Sequence, residues 1–257
     1  GAILCTGPTG SGKTTTIYAI LKIINTREKN ITTIEDPVEY RIRGANQIQV
    51  NPKTNLTFAS GLRSILRQDP NVIFVGEIRD GETAGIAINA ALTGHLVLST
   101  LHTNDAATAI PRLIDMKVEP FLVASTVAVI LAQRLVRQIC PVCKHETTMT
   151  HEEMIKSFPA DVIKENWGTK PKYPVFKGQG CKLCRLSGYQ GRVGLFEVLE
   201  VTAGIRKLII EKADADVIAR AARTEGMKTI LGDGFAKIAT GVTTVEEVLR
   251  VTKAEFV

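Results

Sequence analysis

Aromatic residues are scarce: Phe, Trp and Tyr make up 5% of the 257 residues, with a single Trp. A stripe of cations interleaved with aromatics, the usual platform for single-stranded nucleic acid, is missing from the sequence. Long apolar runs are missing too. The longest stretch without a charge runs from Pro120 to Gln133, short of the ~20 residues that span a bilayer. Residues 119–139 are therefore read as one long buried helix, with Arg134 and Arg137 near its end, where cations suit the helix dipole. No repeat or low-complexity tract occurs, which excludes fibrous and disordered classes. The start, Gly1-Ala2-Ile3-Leu4-Cys5, has neither Met nor a basic segment before its apolar run. It is read as a strand already under way in a fragment of a longer chain, not as a signal peptide. Charge of neither sign dominates: 32 Lys and Arg face 26 Asp and Glu, a net +6. The cations are spread along the chain as solvated surface charge.

What is present is an ordinary packing composition, 44% apolar and 23% charged. Residues 1–100 alternate short apolar strands (2–6, 31–34, 72–75, 96–100) with amphipathic helices (13–25, 58–68, 81–92). That rhythm predicts an α/β fold with a parallel sheet. The segment 37–56, with apolar Ile48 and Val50 in alternation, is expected to hold a short hairpin. Three divisions follow: 1–139 as a core, 140–187 as a small polar module, and 188–257 as a mostly helical subdomain. The last opens with a strand at 188–199 and continues with helices at 204–212, 214–224, 227–240 and 244–252. Thr243 and Thr244 with Glu246 and Glu247 form a candidate capping box.

The strongest chemical signal is Gly7-Pro8-Thr9-Gly10-Ser11-Gly12-Lys13-Thr14, a complete phosphate-binding loop between a strand and a helix. Its glycines let successive N–H groups turn toward phosphate oxygens. The helix that follows, with Thr15 in its first turn, aims its positive end at the same anion. Lys13 is suited to the β- and γ-phosphates and the Thr14 hydroxyl to Mg²⁺. In a parallel sheet the ligand lies beyond the carboxyl ends of the strands. Three further strands end there in reactive residues: Glu35-Asp36-Pro37-Val38-Glu39, Gly76-Glu77-Ile78-Arg79-Asp80, and Leu101-His102-Thr103-Asn104-Asp105. Glu77 is placed to organise Mg²⁺ through water, since Gly76 stands where a Walker B Asp is usual. Glu39 and Glu35 are both candidates to activate the attacking water, and His102 to sense the γ-phosphate. His95, at the other end of its strand, is read as structural or as an interface residue. Arg63, Arg67, Arg79 and Arg192 are candidates to meet developing negative charge.

Cys140, Cys143, Cys181 and Cys184 form two C-x-x-C pairs, suited to a closed tetrahedral Zn²⁺ of structural kind. The long stretch between the pairs must fold back on itself. Cys5 stands apart and is read as a small buried apolar residue.

Taken together, the phosphate loop, Ile34–Glu39, Leu62–Arg67, Val75–Asp80, Thr93–His102 and the tetracysteine module resemble the secretion ATPases of the GspE/PilB type. The resemblance covers nearly the whole chain. It implies a RecA-like P-loop NTPase core with an inserted zinc module and a helical C-terminal subdomain. It also implies Mg²⁺-dependent ATP hydrolysis that powers type IV pilus extension or type II secretion. By motif it makes Glu39 the catalytic glutamate, Glu77 the Walker B glutamate, His102 a γ-phosphate contact, and Arg63, Arg67, Arg79 and Arg192 nucleotide or inter-subunit contacts. A homo-hexamer at the cytoplasmic face of the inner membrane, working on a platform protein and only indirectly on pilin or pseudopilin, is implied with it. Retraction relatives lack the cysteine module, which favours the assembly branch. Family members carry an upstream domain that adds arginines and part of the adenine pocket, so the fragment is expected to hydrolyse ATP weakly. The alternatives are a nucleic-acid motor or DNA-uptake ATPase of the same core fold, motivated by the +6 charge, and a non-catalytic zinc-bearing interaction module.

Overall fold

A computed structural model describes residues 1–252, which fall into two compact units. The first comprises Gly1–Gln133 and Val198–Met227, and the second Arg134–Glu197 and the chain from Lys228 onward. The end of the C-terminal division, 253–257, lies outside the described residues.

In chain order the first unit begins β1 (Ala2–Thr6), α1 (Lys13–Ile24), β2 (Ile31–Glu35), β3 (Ala45–Gln49), α2 (Phe58–Ile65), β4 (Val72–Val75), α3 (Gly81–Leu92) and β5 (Leu96–Leu101). Then come α4 (Ala109–Asp115), α5 (Pro120–Thr126) and β6 (Val127–Ile139). The second unit carries the end of β6, then β7 (Lys144–Thr150), α6 (His151–Ile155), α7 (Ala160–Trp167), β8 (Lys172–Gly178) and most of β9 (Tyr189–Glu200). The chain returns to the first unit for α8 (Ala203–Ile210) and α9 (Ala215–Thr224), and to the second for α10 (Ile230–Ala239) and α11 (Val245–Thr252). No helix among the described residues is long and apolar enough to cross a membrane.

The main sheet has seven strands in the order β3-β2-β4-β5-β1-β6-β9, and β1 to β6 pair in parallel. β2, β4 and β5 are almost wholly buried, and β4 and β5 are Val/Ile/Leu-rich, as strands covered on both faces are. Against β1, β2, β4 and β5 pack Ile17, Tyr18 and Leu21 of α1, all fully buried with Phe74 and Leu98.

Two expectations are corrected. In the segment 37–56 the strand β3 does not form a hairpin arm but adds in parallel to β2, from Ile31↔Ala45 to Glu35↔Gln49; the antiparallel pairing in the segment is the short turn closed by the Asn51↔Leu56 bridge. Residues 119–139 are not one helix. α5 stops at Thr126, and β6 continues as a strand beside β1. Val127, Val129, Ile130, Val136 and Ile139 are β-branched and stiff, which favours a pleated, packed surface. Where an apolar run has few polar positions to mark a face, a period of 3.6 is hard to tell from a period of 2.

In the second unit β7 and β8 form a separate antiparallel pair, Lys144↔Gly178 to Thr150↔Lys172. Phe158 packs against Phe235 with the rings tilted by 52° and 4.9 Å between centroids, and Trp167 meets the same ring edge-on at 5.2 Å. Thr244 caps α11 by accepting the Glu247 N–H at 3.3 Å. Glu247, 1% exposed, turns its carboxylate to Arg137 and Arg250 (2.9 Å each) and to the Arg137 N–H (2.8 Å). Burial pushes this carboxyl up, but the donors from Arg250 and Arg137 outweigh it and hold it at about 2.

Because the folded value lies below the ordinary 4.5, the ion pair stabilises fully above pH 4.5 and fades as the pH falls toward 2. Glu247→Gln is expected to cost about 3 kcal/mol at pH 7, since it leaves two guanidinium groups short of a partner. Urea unfolding should show that deficit shrinking by more than half at pH 3. An equal deficit at both pH values would contradict the pairing.

Candidate active site and metal centre

The strand register assembles one rim. Thr6 pairs with Leu101, so the phosphate loop and His102 leave adjacent strands side by side. Val75 pairs with Ser99 and with Ile34, so Glu77 and Glu35 follow on the next two strands. With strands ~4.8 Å apart, one, two and three steps separate β1 from β5, β4 and β2.

The loop Gly7 to Gly12 joins β1 directly to α1. Gly7 has φ +142°, and a Cβ there would lie 2.6 Å from both the Gln133 carbonyl and the Ser11 hydroxyl. Only glycine fits that approach. The Lys13 ammonium donates to the carbonyls of Gly7 (2.9 Å) and Pro8 (3.1 Å). The loop thus keeps the cation at its own mouth. The buried Ser11 hydroxyl has no hydrogen-bond partner among the described residues. Thr14 is half-buried and Thr15 exposed in the first turn of α1. A lysine at the loop mouth, a helix N-terminus and an unsatisfied hydroxyl together fit a phosphate chain and its magnesium.

On the neighbouring strands Glu77 is the hub. One carboxylate oxygen takes Arg79 Nη2 at 2.7 Å, and the other lies 3.2 Å from His102 Nε2. Its side chain is 12% exposed, while the Arg79 and His102 side chains are 70% and 46% exposed, so water screens both contacts from the partners' side. The guanidinium of Arg79 is pushed up by its bond to Glu77, with Asp36 adding a smaller effect. Gly76 explains the departure from the usual Walker B Asp: a Cβ there would press on Ile34 O and Glu35 Cα of β2 at 3.2 Å. Next to this hub opens a cleft of about 400 Å³ lined by Ile78, Arg79, Leu101, His102, Arg112 and Met116. Arg112, on α4, was not singled out from the sequence. It follows the His102 strand by one helix and had only its charge to mark it.

The two candidate bases part company. Glu35 is 1% exposed and fully engaged by the Tyr18 hydroxyl, the Thr33 hydroxyl (2.5 Å) and the Gln47 amide (3.2 Å). Burial and the neighbouring Glu35 push the Tyr18 phenol up, so it stays a proton donor to that carboxylate. Glu39 is exposed in the following loop, whose backbone at Glu39 and Tyr40 reaches the Tyr18 hydroxyl.

The arginines are dispersed. Arg63 pairs with Glu82 at 2.6 Å, but at 53% and 57% exposure the pair holds it by only ~0.2–1 kcal/mol. Arg67 lies next to Gln68, whose carbonyl takes a bond from Asn30, just ahead of β2. It therefore belongs to the edge where the strands begin. His95 is at that edge too, its Nδ1 2.9 Å from the Ala90 carbonyl and its own carbonyl accepting the Gly1 ammonium. Arg192 is exposed on β9 in the second unit.

The four module cysteines converge in the second unit. Their sulfurs lie within 4.8 Å of one another, with Cys140–Cys181 at 3.9 Å, Cys143–Cys184 at 3.8 Å and Cys181–Cys184 at 3.7 Å. Four sulfurs at ~2.3 Å from a tetrahedral zinc would stand about 3.8 Å apart, so the set fits. Cys184 accepts the N–H groups of Cys181 (3.1 Å) and Gly188 (3.3 Å). These donors, Cys181 foremost, bring its thiol down to about 6, whereas burial pushes Cys143 up to about 11.

A family model described as Type II/IV secretion system protein matches residues 1–250. The chain belongs to this family. Among its members, the type II secretion system protein E of Pseudomonas aeruginosa is 51% identical over 99% of the chain and 49% of its own length. The type IV pilus assembly ATPase PilB of Acinetobacter baylyi is 48% identical over 98% of the chain and 43% of its own length. The chain spans about half the length of the curated relatives it matches. The crystal structure of the pilus retraction motor PilT with bound ADP superposes with a TM-score of 0.70 at 32% identity, covering 98% of the chain and 61% of that structure. The α/β architecture is thus that of the RecA-like secretion ATPases, as the resemblance implied.

Protein purified without chelator is expected to carry close to one zinc per chain by elemental analysis. Cys181→Ser should lose the metal and lower the melting temperature. Less than about half an equivalent in the unmutated protein would contradict a four-sulfur site.

Proposed function

We propose that these residues form the nucleotide-hydrolysing part of a motor that couples MgATP turnover to type IV pilus extension or type II secretion. The observation that supports this most is the parallel register that sets the Gly7–Thr14 loop beside the His102–Glu77–Arg79 cluster. Lys13 would leave its carbonyls to meet the β- and γ-phosphates, and Thr14, with Glu77 through water, would hold magnesium. Magnesium, when bound, neutralises the phosphate charge that builds up as the bond breaks. Glu77 is held from both sides by Arg79 and His102, which fixes its carboxylate, and His102 would report the γ-phosphate. Glu39 serves as the base that orients or deprotonates the water. It is the carboxylate of the pair that faces solvent, while both oxygens of Glu35 are committed to Tyr18, Thr33 and Gln47. Arg79, Arg63, Arg67 and Arg192 meet phosphate or a neighbouring protomer. Arg67, far from the rim within its own chain, suits only the second role.

The working form in this reading is a homo-hexamer on the cytoplasmic side of the inner membrane, against a platform protein, with pilin or pseudopilin moved indirectly. The domain division 1–139, 140–187 and 188–257 is kept for the motor core, the cysteine module with zinc as its structural ion, and the helical subdomain. These residues alone are proposed to turn over slowly, because the relatives are about twice as long.

Turnover of MgATP and binding of nucleotide, measured on this chain and on a relative about twice its length, test the reading. Lys13→Ala is expected to abolish both. Glu39→Gln should bind nucleotide with an affinity within about threefold of the unmutated protein while turnover falls by ~10²-fold or more. Normal hydrolysis by Glu39→Gln would remove the assigned base. Stimulation by DNA would transfer the chain to the nucleic-acid motors.

A further inference from the structure

Gln133 is 1% exposed on β6, one residue past Ala132, the partner of Thr6. It thereby flanks the first residue of the phosphate loop. Both ends of its amide are used: Oε1 accepts from Cys5 Sγ at 3.2 Å, and Nε2 donates to the Ser11 carbonyl at 2.5 Å. A primary amide has one accepting and one donating end; the Ser11 carbonyl, which can only accept, takes the donating end, and the Cys5 S–H holds the accepting end in place. Burial pushes the Cys5 thiol up to about 12 against the pull of Lys13, so the thiol keeps the proton it donates. Cys5 is thus more than the small apolar residue its surroundings suggested.

The Ser11 carbonyl and the Gly12 N–H belong to one planar trans peptide and point in opposite directions. Fixing the first fixes the second. The neighbouring torsions are loose by nature, since Gly12 sits at φ +89° and its glycine backbone is free to rotate. The Ser11 hydroxyl, without a partner among the described residues, does not help. The Ser11 N–H makes only the local turn bond to Pro8 O at 3.2 Å.

We propose that Gln133, oriented by Cys5, is a positioning residue that holds the Ser11–Gly12 peptide with the Gly12 N–H turned into the phosphate hollow. The role as a positioning residue rests on the nucleotide reading above; the clamp itself does not. A loop whose binding-competent form is only partly populated loses affinity in proportion to that fraction. Gln133→Leu removes both bonds at similar volume, and should raise the dissociation constant for a fluorescent ADP analogue at least tenfold. Hydrogen exchange in the ligand-free full chain should show residues 7–12 exchanging at least fivefold faster, with β4 and α3 unchanged. Cys5→Ala should move both readouts the same way. Cys5→Ser, which restores an O–H donor, should move them less than Cys5→Ala, an order that packing alone would not produce.

If Gln133→Leu fails to fold, the Cys5 pair decides the matter. Unchanged exchange at 7–12 with unchanged affinity would overturn the proposal, as would faster exchange spread over the whole unit. If the unmutated chain binds no nucleotide, the functional reading falls, while the exchange comparison still decides whether the clamp exists.

Discussion

Parallel pairing in register is the constraint on which the candidate site depends. Side chains on a strand alternate between faces, so slipping β5 by one residue against β1 would send Ser99 and Leu101 to the wrong side and carry His102 with them. The register is locked from both flanks. Thr100 Oγ1 and Ser99 Oγ donate to the carbonyls of Gly76 and Val75 at 2.7 Å each, and Ile78 N–H returns to Thr100 O at 3.0 Å. These bonds tie the ends of β4 and β5 together just before the chain turns away as Glu77 and His102. The contact between those two side chains is a consequence of that tie. A polar strand end in such a sheet is therefore structural and chemical at once: its hydroxyls fix the frame, and the residue that follows is presented at the rim.

The strands that carry the site were legible because their signals are local. Short runs such as Val72–Val75 end in glycine, and the phosphate loop punctuates β1 without ambiguity. β3 was legible as an alternating strand but not as a parallel one, because alternation specifies faces and not direction. Its Asn46, Gln47 and Gln49 are the polar residues expected of a sheet edge, and Gln47 reaches inward to Glu35 at 3.2 Å. Residues 119–139 were opaque for another reason. A mostly apolar stretch with few polar positions carries a weak amphipathic period, and only the density of β-branched residues after Thr126 distinguishes strand from helix there.

At the site itself, the sequence could name groups that carry charge or fit a spacing rule. It could not name groups whose role is to be a partner. Glu35 and Glu39 read alike as carboxylates after a strand. What separates them is Tyr18 and Gln47, which come from α1 and β3 and meet Glu35 only once the chain is folded. Gln133 read as the end of an uncharged run, although a lone amide in an apolar strand is itself a signal, since burying it without partners would cost ~1–3 kcal/mol. A polar residue in an otherwise apolar run therefore merits the same scrutiny as a motif.

The cysteines answer a different physical problem. A two-stranded sheet is marginal in water, and β7 and β8 are such a sheet, with exposed positions alternating along both strands. Within the second unit the hairpin leans on the aromatic cluster of Phe158, Trp167, Tyr173 and Phe235 at one end. At the other end the chain enters through Cys140 and Cys143 and leaves through Cys181 and Cys184, so a cation held by all four would close the whole excursion at its neck. Closing a loop of this length removes conformational freedom from the unfolded chain, and metal binding adds its own free energy to folding. A core of this size gains more from such a closure than from one further apolar side chain, which would contribute only ~1.5–3 kcal/mol. That difference accounts for spending four buried or half-buried thiols here, in a module whose other surface is polar and lysine-rich.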